Sequence, residues 1–286
     1  MRRARAADPT RIGAWQLERW LGEGHWTRVY RARASHVCGN ADYAVKVLRP
    51  EFRNDPLAIG LLQREARVAR ELAHPNLISI LAVHVDGPPF FLVSPYLEGA
   101  TLKDTLLARE RLSAPHALWI LRQVAEGLKA VHSGGWLHCD VKPENVFIAK
   151  NGHVTVCDLG LARHKDRTAG GAETLAGTPA YLPPEALCSS VELSTASDVF
   201  SLGVTLYETL TGQLPFPHED PADLAEALLT QASPDPRRRV PQLPASVARL
   251  LRRMLAKTPL RRPDLNELID WLVDLEIETF DNRLAG

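Results

Sequence analysis

Apolar and polar positions alternate in the first third of the chain, as they do in half-buried β-strands. Residues 15–20 follow this pattern, residues 29–32 come after a glycine turn, and residues 43–48 form a short apolar run that Pro50 ends. Two further runs, 77–85 and 90–93, flank the turn sequence Asp86-Gly87-Pro88-Pro89 and predict a hairpin. The pattern therefore predicts a small antiparallel sheet.

A helical spacing interrupts these strands once and dominates after Gly99. Residues 57–72 form the first helix, which ends before His74-Pro75 because a residue that precedes proline disfavours helical geometry. Ser113 is the expected N-cap of a long helix that runs to Ser133. The other predicted helices are 101–110, 197–210, 221–232, 244–256 and 264–275.

Strands followed by helices predict an α+β fold with two lobes. The small lobe is an antiparallel β-sheet with one helix, and the larger lobe is mainly helical. We assign residues 1–12 to a flexible N-terminal tail, 13–97 to the small lobe and 98–286 to the large lobe.

Charge and composition narrow the function classes. The chain has 34 basic and 34 acidic residues, so its formal net charge of zero gives no reason to expect a nucleic acid or a membrane surface as partner. No run approaches the roughly 20 apolar residues that a membrane span needs. The four cysteines (Cys38, Cys139, Cys157 and Cys188) contain no C-x-x-C pair, which argues against zinc-ribbon and thioredoxin sites. We expect a cytoplasmic protein with reduced thiols.

Two features in the predicted sheet fit phosphate binding. Gly22 and Gly24 lie in a turn between strands, where glycine lets backbone N–H groups approach phosphate oxygens closely. By themselves, two glycines are equally typical of an ordinary hairpin turn, and no helix follows the turn as a dinucleotide-binding site requires.

Lys46 lies in an apolar strand, and its ammonium needs a partner, for which Glu65 in the next helix is the candidate. A surface lysine on an edge strand is the alternative.

The most specific signal is the segment 138–145, followed by Asp158-Leu159-Gly160. Its four specified residues, His138, Asp140, Lys142 and Asn145, occur together by chance about once in 10⁵ windows. Asn145 and Asp158 supply amide and carboxylate oxygens, which suit Mg²⁺ better than zinc. The segment is therefore the candidate catalytic centre.

These segments resemble the eukaryotic-type Ser/Thr protein kinases, in the style of their bacterial branch, from about Gly13 to Leu275. The resemblance implies that Lys46, paired with Glu65, binds the α- and β-phosphates of ATP, that Asp140 accepts the proton of the substrate hydroxyl, and that Lys142 stabilises the transferred phosphoryl group. Asn145 and Asp158 would hold Mg²⁺, with Mn²⁺ as the alternative ion. The implied nucleotide-binding set is Gly22, Glu23, Gly24, Val29, Ala44, Lys46, Ser94, Pro95, Leu97, Asn145 and Asp158.

Later segments extend the resemblance. Residues 177–185 are similar to the segment that seats the acceptor, and Glu185 would pair with Arg262. Asp198 would position the catalytic loop, although locally it is also an ordinary acidic residue at a helix start.

The resemblance implies phosphorylation of serine or threonine hydroxyls in proteins, including autophosphorylation through self-association. Lys142 and Thr178 favour Ser/Thr over Tyr specificity. A pseudokinase that binds nucleotide and signals by contact is the alternative, and a small-molecule phosphotransferase is a third reading. Loss of a residue of the catalytic set would favour the pseudokinase, and absence of the segments 177–185 and 197–203 would favour the small-molecule phosphotransferase. The sequence keeps the whole set and both segments; the set is Lys46, Glu65, Asp140, Lys142, Asn145 and Asp158.

The sequence departs from the family pattern at four places. Thr27 replaces the third glycine of the phosphate loop, Leu159 replaces phenylalanine, and Ser94 with Pro95 stands in the segment that would meet the adenine edge. Cys139 replaces the arginine that pairs with a phosphorylated activation-loop residue in the family. We therefore hypothesise that activity does not depend strongly on phosphorylation of the activation loop, where Thr168, Thr174 and Thr178 are the available hydroxyls and Thr174 is the expected phosphosite.

Overall fold

A computed structural model describes residues 10–37, 39–166, 178–188 and 191–284, with side chains up to residue 280. The chain divides into two compact units. The N-terminal unit contains residues up to 71 and 78–98, and the C-terminal unit contains residues 72–77 and those from 99 onward.

The N-terminal unit is a six-stranded antiparallel sheet in the order β1-β2-β3-β4-β6-β5. Its strands are β1 (Arg11–Ile12), β2 (Trp15–Glu23), β3 (Thr27–Ala34), β4 (Tyr43–Leu48), β5 (Ala82–His84) and β6 (Phe91–Pro95). Alternate residues point to opposite faces of a strand, and one face buries a core that includes Tyr30, Ala32, Val45 and Val93.

One α-helix, α1 (Pro56–Glu71), belongs to this unit and lies one residue from the predicted bounds. Its apolar stripe, Ala58, Leu62 and Ala66, packs with Leu48 and Leu92 of the sheet. The spacing of four residues places these three side chains on one helix face.

The sheet differs from the prediction at both ends. Arg11 and Ile12, which the sequence assigned to the tail, form β1 against Gln16 and Trp15, and Ile12 is buried. The predicted strand 77–85 is wrong at residues 77–81 and 85, because β5 covers Ala82–His84, which pair with β6. Residues 72–77 instead pack with the C-terminal unit.

Asn76 explains this placement of residues 72–77. Its side-chain amide donates to the Val154 carbonyl (2.7 Å) and to Gln123 Oε1 (3.3 Å). Its backbone carbonyl accepts a hydrogen bond from the Val156 N–H (2.8 Å). Gly127 makes room, since a Cβ there would lie 2.9 Å from the Asn76 carbonyl oxygen. A buried polar side chain needs such partners, and all of them lie in the C-terminal unit.

The C-terminal unit is mainly helical. Its described helices are α2 (Leu102–Arg109), α3 (Ala114–Ser133), α4 (Thr195–Thr211), α5 (Pro221–Thr230), α6 (Ala245–Met254) and α7 (Leu265–Leu284). Its strands β7 (Gly99–Thr101), β9 (Val146–Ala149) and β10 (Val154–Val156) form one small sheet, and β8 (Trp136–Leu137) pairs with β11 (Arg163–His164).

Helix α4 is the central helix of this unit, since nearly all of its side chains are buried. Its threonine hydroxyls are satisfied locally: Thr205 and Thr209 each donate to the carbonyl four residues earlier, at 3.0 and 2.7 Å. Helices α3 and α6 pack against it, and α7 packs mainly against α3. Helix α7 extends to Leu284, well beyond the predicted end at residue 275. None of the helices in the described part of the chain is long and apolar enough to span a membrane.

Candidate active site

The glycine turn is a tight hairpin between β2 and β3. The Gly24 N–H donates to the Thr27 carbonyl (2.8 Å), which closes the turn. Arg49 fixes the tip of this turn by two hydrogen bonds. The Arg49 backbone N–H donates to the Trp26 carbonyl, and the Arg49 guanidinium donates to the His25 carbonyl. The N–H groups of His25 and Trp26 have no hydrogen-bond partner among the described residues. These donors are the ones that an anion at the tip could use.

The predicted pair of Lys46 and Glu65 is confirmed as a contact. Lys46 Nζ lies 2.7 Å from Glu65 Oε2, and the Glu65 side chain is only 5% exposed. Lys46 stands in the middle of the sheet, opposite Val29 of β3 and Leu92 of β6, so the edge-strand alternative is wrong. A carboxylate buried this deeply requires a cation beside it.

The other nucleotide-binding candidates of the N-terminal unit lie on neighbouring strands. Gly22 pairs with Val29, and Glu23 forms an exposed ion pair with Arg28 (3.3 Å). Ala44 and Ser94 are cross-strand partners on β4 and β6, and both are half-buried. Pro95 is the last residue of β6, and Leu97 follows it, also half-buried.

The segment 138–145 forms a loop whose polar side chains converge on Asp140. Lys142 Nζ lies 3.0 and 2.8 Å from the two carboxylate oxygens of Asp140. The Asn145 amide donates to the Asp140 carbonyl and to its Oδ2, both at 2.8 Å. Lys142 Nζ also donates to the Thr178 hydroxyl (2.9 Å). The loop therefore gathers a carboxylate, an ammonium, an amide and a threonine hydroxyl at one place.

Asp198, at the start of α4, holds the backbone of this loop, as the sequence predicted. Its carboxylate accepts the N–H groups of His138 (2.8 Å) and Cys139 (2.9 Å) and a hydrogen bond from His132 Nε2 (2.7 Å). Complete burial alone would raise the Asp198 pKa, but the hydrogen bond and charge of His132, together with His138, bring that pKa below its ordinary value. Cys139 has a left-handed backbone (φ 63°), which the hydrogen bonds from the His138 and Cys139 N–H groups to Asp198 stabilise.

Asn145 and Asp158 fit a magnesium ion in their chemistry. The Asn145 amide nitrogen is used on Asp140, which leaves its side-chain oxygen as the atom for a metal. The Cys157 N–H donates to the Asn145 carbonyl (2.8 Å), so a backbone bond connects the two segments. Asp158 has a left-handed backbone (φ 64°), and Leu159 beside it is fully buried. Amide and carboxylate oxygens are the hard ligands that Mg²⁺ prefers.

Glu185 and Arg262 form the predicted ion pair. Both side chains are almost completely buried, and two N–H···O contacts of 2.6 and 2.8 Å join them. Arg262 also donates to three backbone carbonyls, and Ser197 donates to Glu185. The segment that carries Thr178 is thereby fixed to α4. Thr168, Thr174 and Gly177 lie outside the described residues.

Sequence reasoning missed two buried supports of the site. His132 lies in the last turn of the long helix α3 and contacts Asp198, and its only signal was its position just before the catalytic segment. Tyr181 donates its hydroxyl to Glu208 of α4. Burial, then this hydrogen bond, raises the pKa of Tyr181 far above its ordinary value.

The two-unit fold and the geometry of the loop at Asp140 agree with a comparison of the sequence with known families. A sequence profile described as the protein kinase domain matches residues 15–271. The chain therefore belongs to the protein kinase domain family, in its eukaryotic-type Ser/Thr branch, and ATP use with a divalent metal is the property of that family.

Curated relatives of the chain are named serine/threonine-protein kinases. The chain is 32% identical over 256 residues to serine/threonine-protein kinase PrkC of Bacillus subtilis (strain 168), covering 89% of this chain and 39% of that protein. It is 34% identical over 261 residues to pkn3 of Myxococcus xanthus, covering 87% and 47%. It is 33% identical over 260 residues to PknA of Mycobacterium tuberculosis (strain ATCC 25177 / H37Ra), covering 88% and 59%. The chain thus spans about 39% to 59% of the length of these relatives.

Proposed function

We propose that the chain is an active protein kinase that transfers the γ-phosphoryl group of ATP to serine or threonine hydroxyls of proteins. The observation that carries this proposal is the arrangement at Asp140, where Asn145 and Lys142 fix the carboxylate and Lys142 also contacts Thr178. No finding favours the pseudokinase alternative.

The proposed step forms one bond and breaks one. The acceptor oxygen bonds to the γ-phosphorus while the bond from that phosphorus to the β–γ bridging oxygen breaks, and ADP leaves. Asp140 orients the acceptor hydroxyl and takes its proton. Lys142, between Asp140 and Thr178, is placed to balance charge on the phosphoryl oxygens.

Lys46 is proposed to bind the α- and β-phosphates, with Glu65 holding its ammonium in position. Gly22, Glu23, Gly24 and Val29 supply the hairpin over the phosphates, and Ala44, Ser94, Pro95 and Leu97 the surface for the adenine ring. Mg²⁺ is the proposed ion at Asn145 and Asp158, with Mn²⁺ as a substitute; it would neutralise phosphate charge.

The proposed partners are proteins that present serine or threonine, including a second copy of this chain for autophosphorylation. The contact of Lys142 with Thr178 supports Ser/Thr rather than Tyr specificity. The proposed location is the cytoplasm, which agrees with the free thiols of Cys139, Cys157 and Cys188.

The test is incubation of the purified chain with Mg²⁺, γ-labelled ATP and a generic basic protein acceptor. We expect label on serine or threonine for the wild type and none for Asp140→Asn. Asp86→Asn is the matched control, because Asp86 is an exposed aspartate of the N-terminal unit, and this variant should keep wild-type activity.

Replacement of Mg²⁺ by Mn²⁺ or Ca²⁺ in the same assay tests the choice of ion. Equal labelling by wild type and Asp140→Asn would contradict the assignment of the base. Absence of label from every variant, with nucleotide binding intact, would instead support a nucleotide-binding interaction module.

A further inference from the structure

A cavity of about 600 Å³ opens in the C-terminal unit. The loop from α2 to α3, the end of α4, residues 240–244 before α6 and Thr279 of α7 line it. None of these residues belongs to the set assigned to phosphotransfer. The volume lies within the range of roughly 300–1,000 Å³ that is typical of small-molecule sites.

The inner side of the cavity is apolar. Leu210, Val240 and Leu243 are buried parts of the helical core, and Leu112 and Pro115 add apolar surface nearer the exterior. An apolar wall of this kind favours an alkyl or aromatic body over a fully polar ligand, because burial of apolar surface stabilises the complex.

Backbone contacts fix the walls in place. The Leu112 N–H donates to the Thr209 carbonyl at 2.8 Å, which joins the α2–α3 loop to α4. Gly212 ends α4 in the left-handed conformation (φ 73°), and a Cβ there would lie 2.8 Å from the Glu110 carbonyl oxygen. The loop and the helix end are thus in direct contact, so the cavity exists before any ligand binds.

The exposed side of the cavity carries positive charge. Arg109 and Arg111 line it and are exposed, and neither forms an ion pair within the described part of the chain. Its other polar side chains are neutral, and no aspartate or glutamate is among the lining residues; Glu110, between the two arginines, is not one of them. Two guanidinium groups match a carboxylate or phosphate in both charge and hydrogen-bond geometry.

We propose that this cavity binds a small amphiphilic anion, namely an acidic head group on a single short apolar chain. The head group contacts Arg109 and Arg111, and the chain lies against Leu210, Val240 and Leu243. The site is separate from the phosphotransfer residues, so its existence does not depend on kinase activity.

The probe is octanoate, with 1-octanol as its uncharged counterpart, titrated into the full chain by calorimetry and by thermal unfolding. We expect saturable binding of one octanoate per chain and a rise in the unfolding temperature that grows with octanoate concentration. We expect 1-octanol to bind at least tenfold more weakly because it lacks the charge.

Two variants locate the site. Arg109→Gln/Arg111→Gln should weaken octanoate binding at least tenfold, and Arg67→Gln/Arg70→Gln, which changes two exposed arginines of α1 in the N-terminal unit, should leave it unchanged. Ala114→Trp places a large ring in the cavity from a half-buried position at the start of α3 and should abolish binding while unfolding remains cooperative.

Three results would overturn the proposal: no saturable octanoate binding, equal affinity for octanoate and 1-octanol, or binding that survives both the arginine and the Ala114→Trp changes. Sedimentation with phosphatidylglycerol vesicles separates the two sources of such an anion. Vesicle binding that depends on Arg109 and Arg111, without binding of free octanoate, would replace the small-ligand site by a membrane contact.

Discussion

At the scale of single residues, the buried carboxylate of Glu65 makes the N-terminal unit depend on Lys46. The pair joins β4 to α1 at 2.7 Å, and Glu65 is almost excluded from solvent. Removal of one member of a buried pair leaves an uncompensated charge, whereas replacement of both members by apolar residues is often neutral. This difference separates the structural role of Lys46 from its proposed role in ATP binding.

We predict that Lys46→Met abolishes phosphotransfer and lowers the free energy of unfolding by about 3 kcal/mol, because the buried Glu65 carboxylate loses the ammonium that lies 2.7 Å from it. Lys46→Met/Glu65→Leu should recover most of that stability and none of the activity. Urea unfolding and γ-phosphate transfer measure the two effects. Arg33→Met is the control, since it removes an exposed ion pair with Glu18 in the same sheet and should cost less than 1 kcal/mol. Recovery of activity in the double variant would remove Lys46 from the catalytic set.

Cys139 precedes Asp140 and offers no cation to a phosphate group. Its backbone is already held by Asp198, which bonds to its N–H at 2.9 Å. The loop geometry at Asp140 therefore has a support that needs no phosphorylated residue.

We predict that Thr174→Ala keeps most phosphotransfer activity, because Cys139 cannot pair with a phosphate on the activation loop. Thr178→Ala is the contrasting variant, since it removes the hydroxyl that Lys142 contacts, and it should lower kcat. Initial rates with a protein acceptor check both. A loss of several orders of magnitude in Thr174→Ala would show that activation-loop phosphorylation is needed after all.

At the scale of elements, α4 connects the catalytic loop to the core of the C-terminal unit. Its first turn carries Ser197, which bonds to Glu185, and Asp198, which bonds to the loop. The rest of the helix is buried on all sides. A rigid helix with one polar end can therefore fix both the loop and the segment that carries Thr178.

We predict that Asp198→Asn lowers the free energy of unfolding by about 3 kcal/mol and removes most activity. Asparagine has a single acceptor oxygen, so it cannot accept the hydrogen bonds of His138, Cys139 and His132 together. Asp264→Asn is the matched control: Asp264 also accepts two backbone N–H groups at a helix start, but it is exposed, and asparagine caps helices equally well. Equal stability of the two variants would show that Asp198 does not support the loop.

At the scale of the whole molecule, Lys257 makes the stability of the folded chain depend on pH. It lies 4.1 Å from the ring centre of Phe216 and donates to the Ala227 carbonyl at 3.1 Å. Burial, and then the positive charge of Arg262, lower the pKa of Lys257 to about 8 from its ordinary value of 10.5. The folded chain thus holds this proton less tightly than the unfolded chain.

We predict that this lysine makes the protein more stable as the pH rises from 8 to 10.5. In that window the unfolded chain keeps a proton that the folded chain has lost, so the free energy of unfolding increases with pH. Urea midpoints measured across the window should rise more steeply for the wild type than for Lys257→Met. Lys129→Met, which changes an exposed lysine of α3, should follow the wild type; identical slopes in all three would refute the assignment.

Local patterns were sufficient for most elements and for several contacts. The bounds of β4 follow from apolar spacing, which acts within a few residues. Ser113 stands at the N-cap position of α3, as predicted, but its side chain makes no capping hydrogen bond, and its hydroxyl contacts the His116 ring at 2.8 Å instead. The pair Lys46–Glu65 was predicted because a lysine in an apolar strand needs a partner for its charge, whereas the pair Glu185–Arg262 was implied by the family resemblance; the structure contains both contacts. The length of α7 was underestimated, since no helix-stop signal follows residue 275.

The sequence by itself determined the family, the two-lobe α+β class and the residues proposed for chemistry, because these depend on short motifs and on periodicity. Only the tertiary structure decided that residues 72–77 belong with the helical unit, that His132 and Tyr181 support the site, and that two arginines border an apolar cavity. Each of these depends on residues far apart along the chain, such as Asn76 and Val154 or Arg111 and Thr279, which are brought together only by packing.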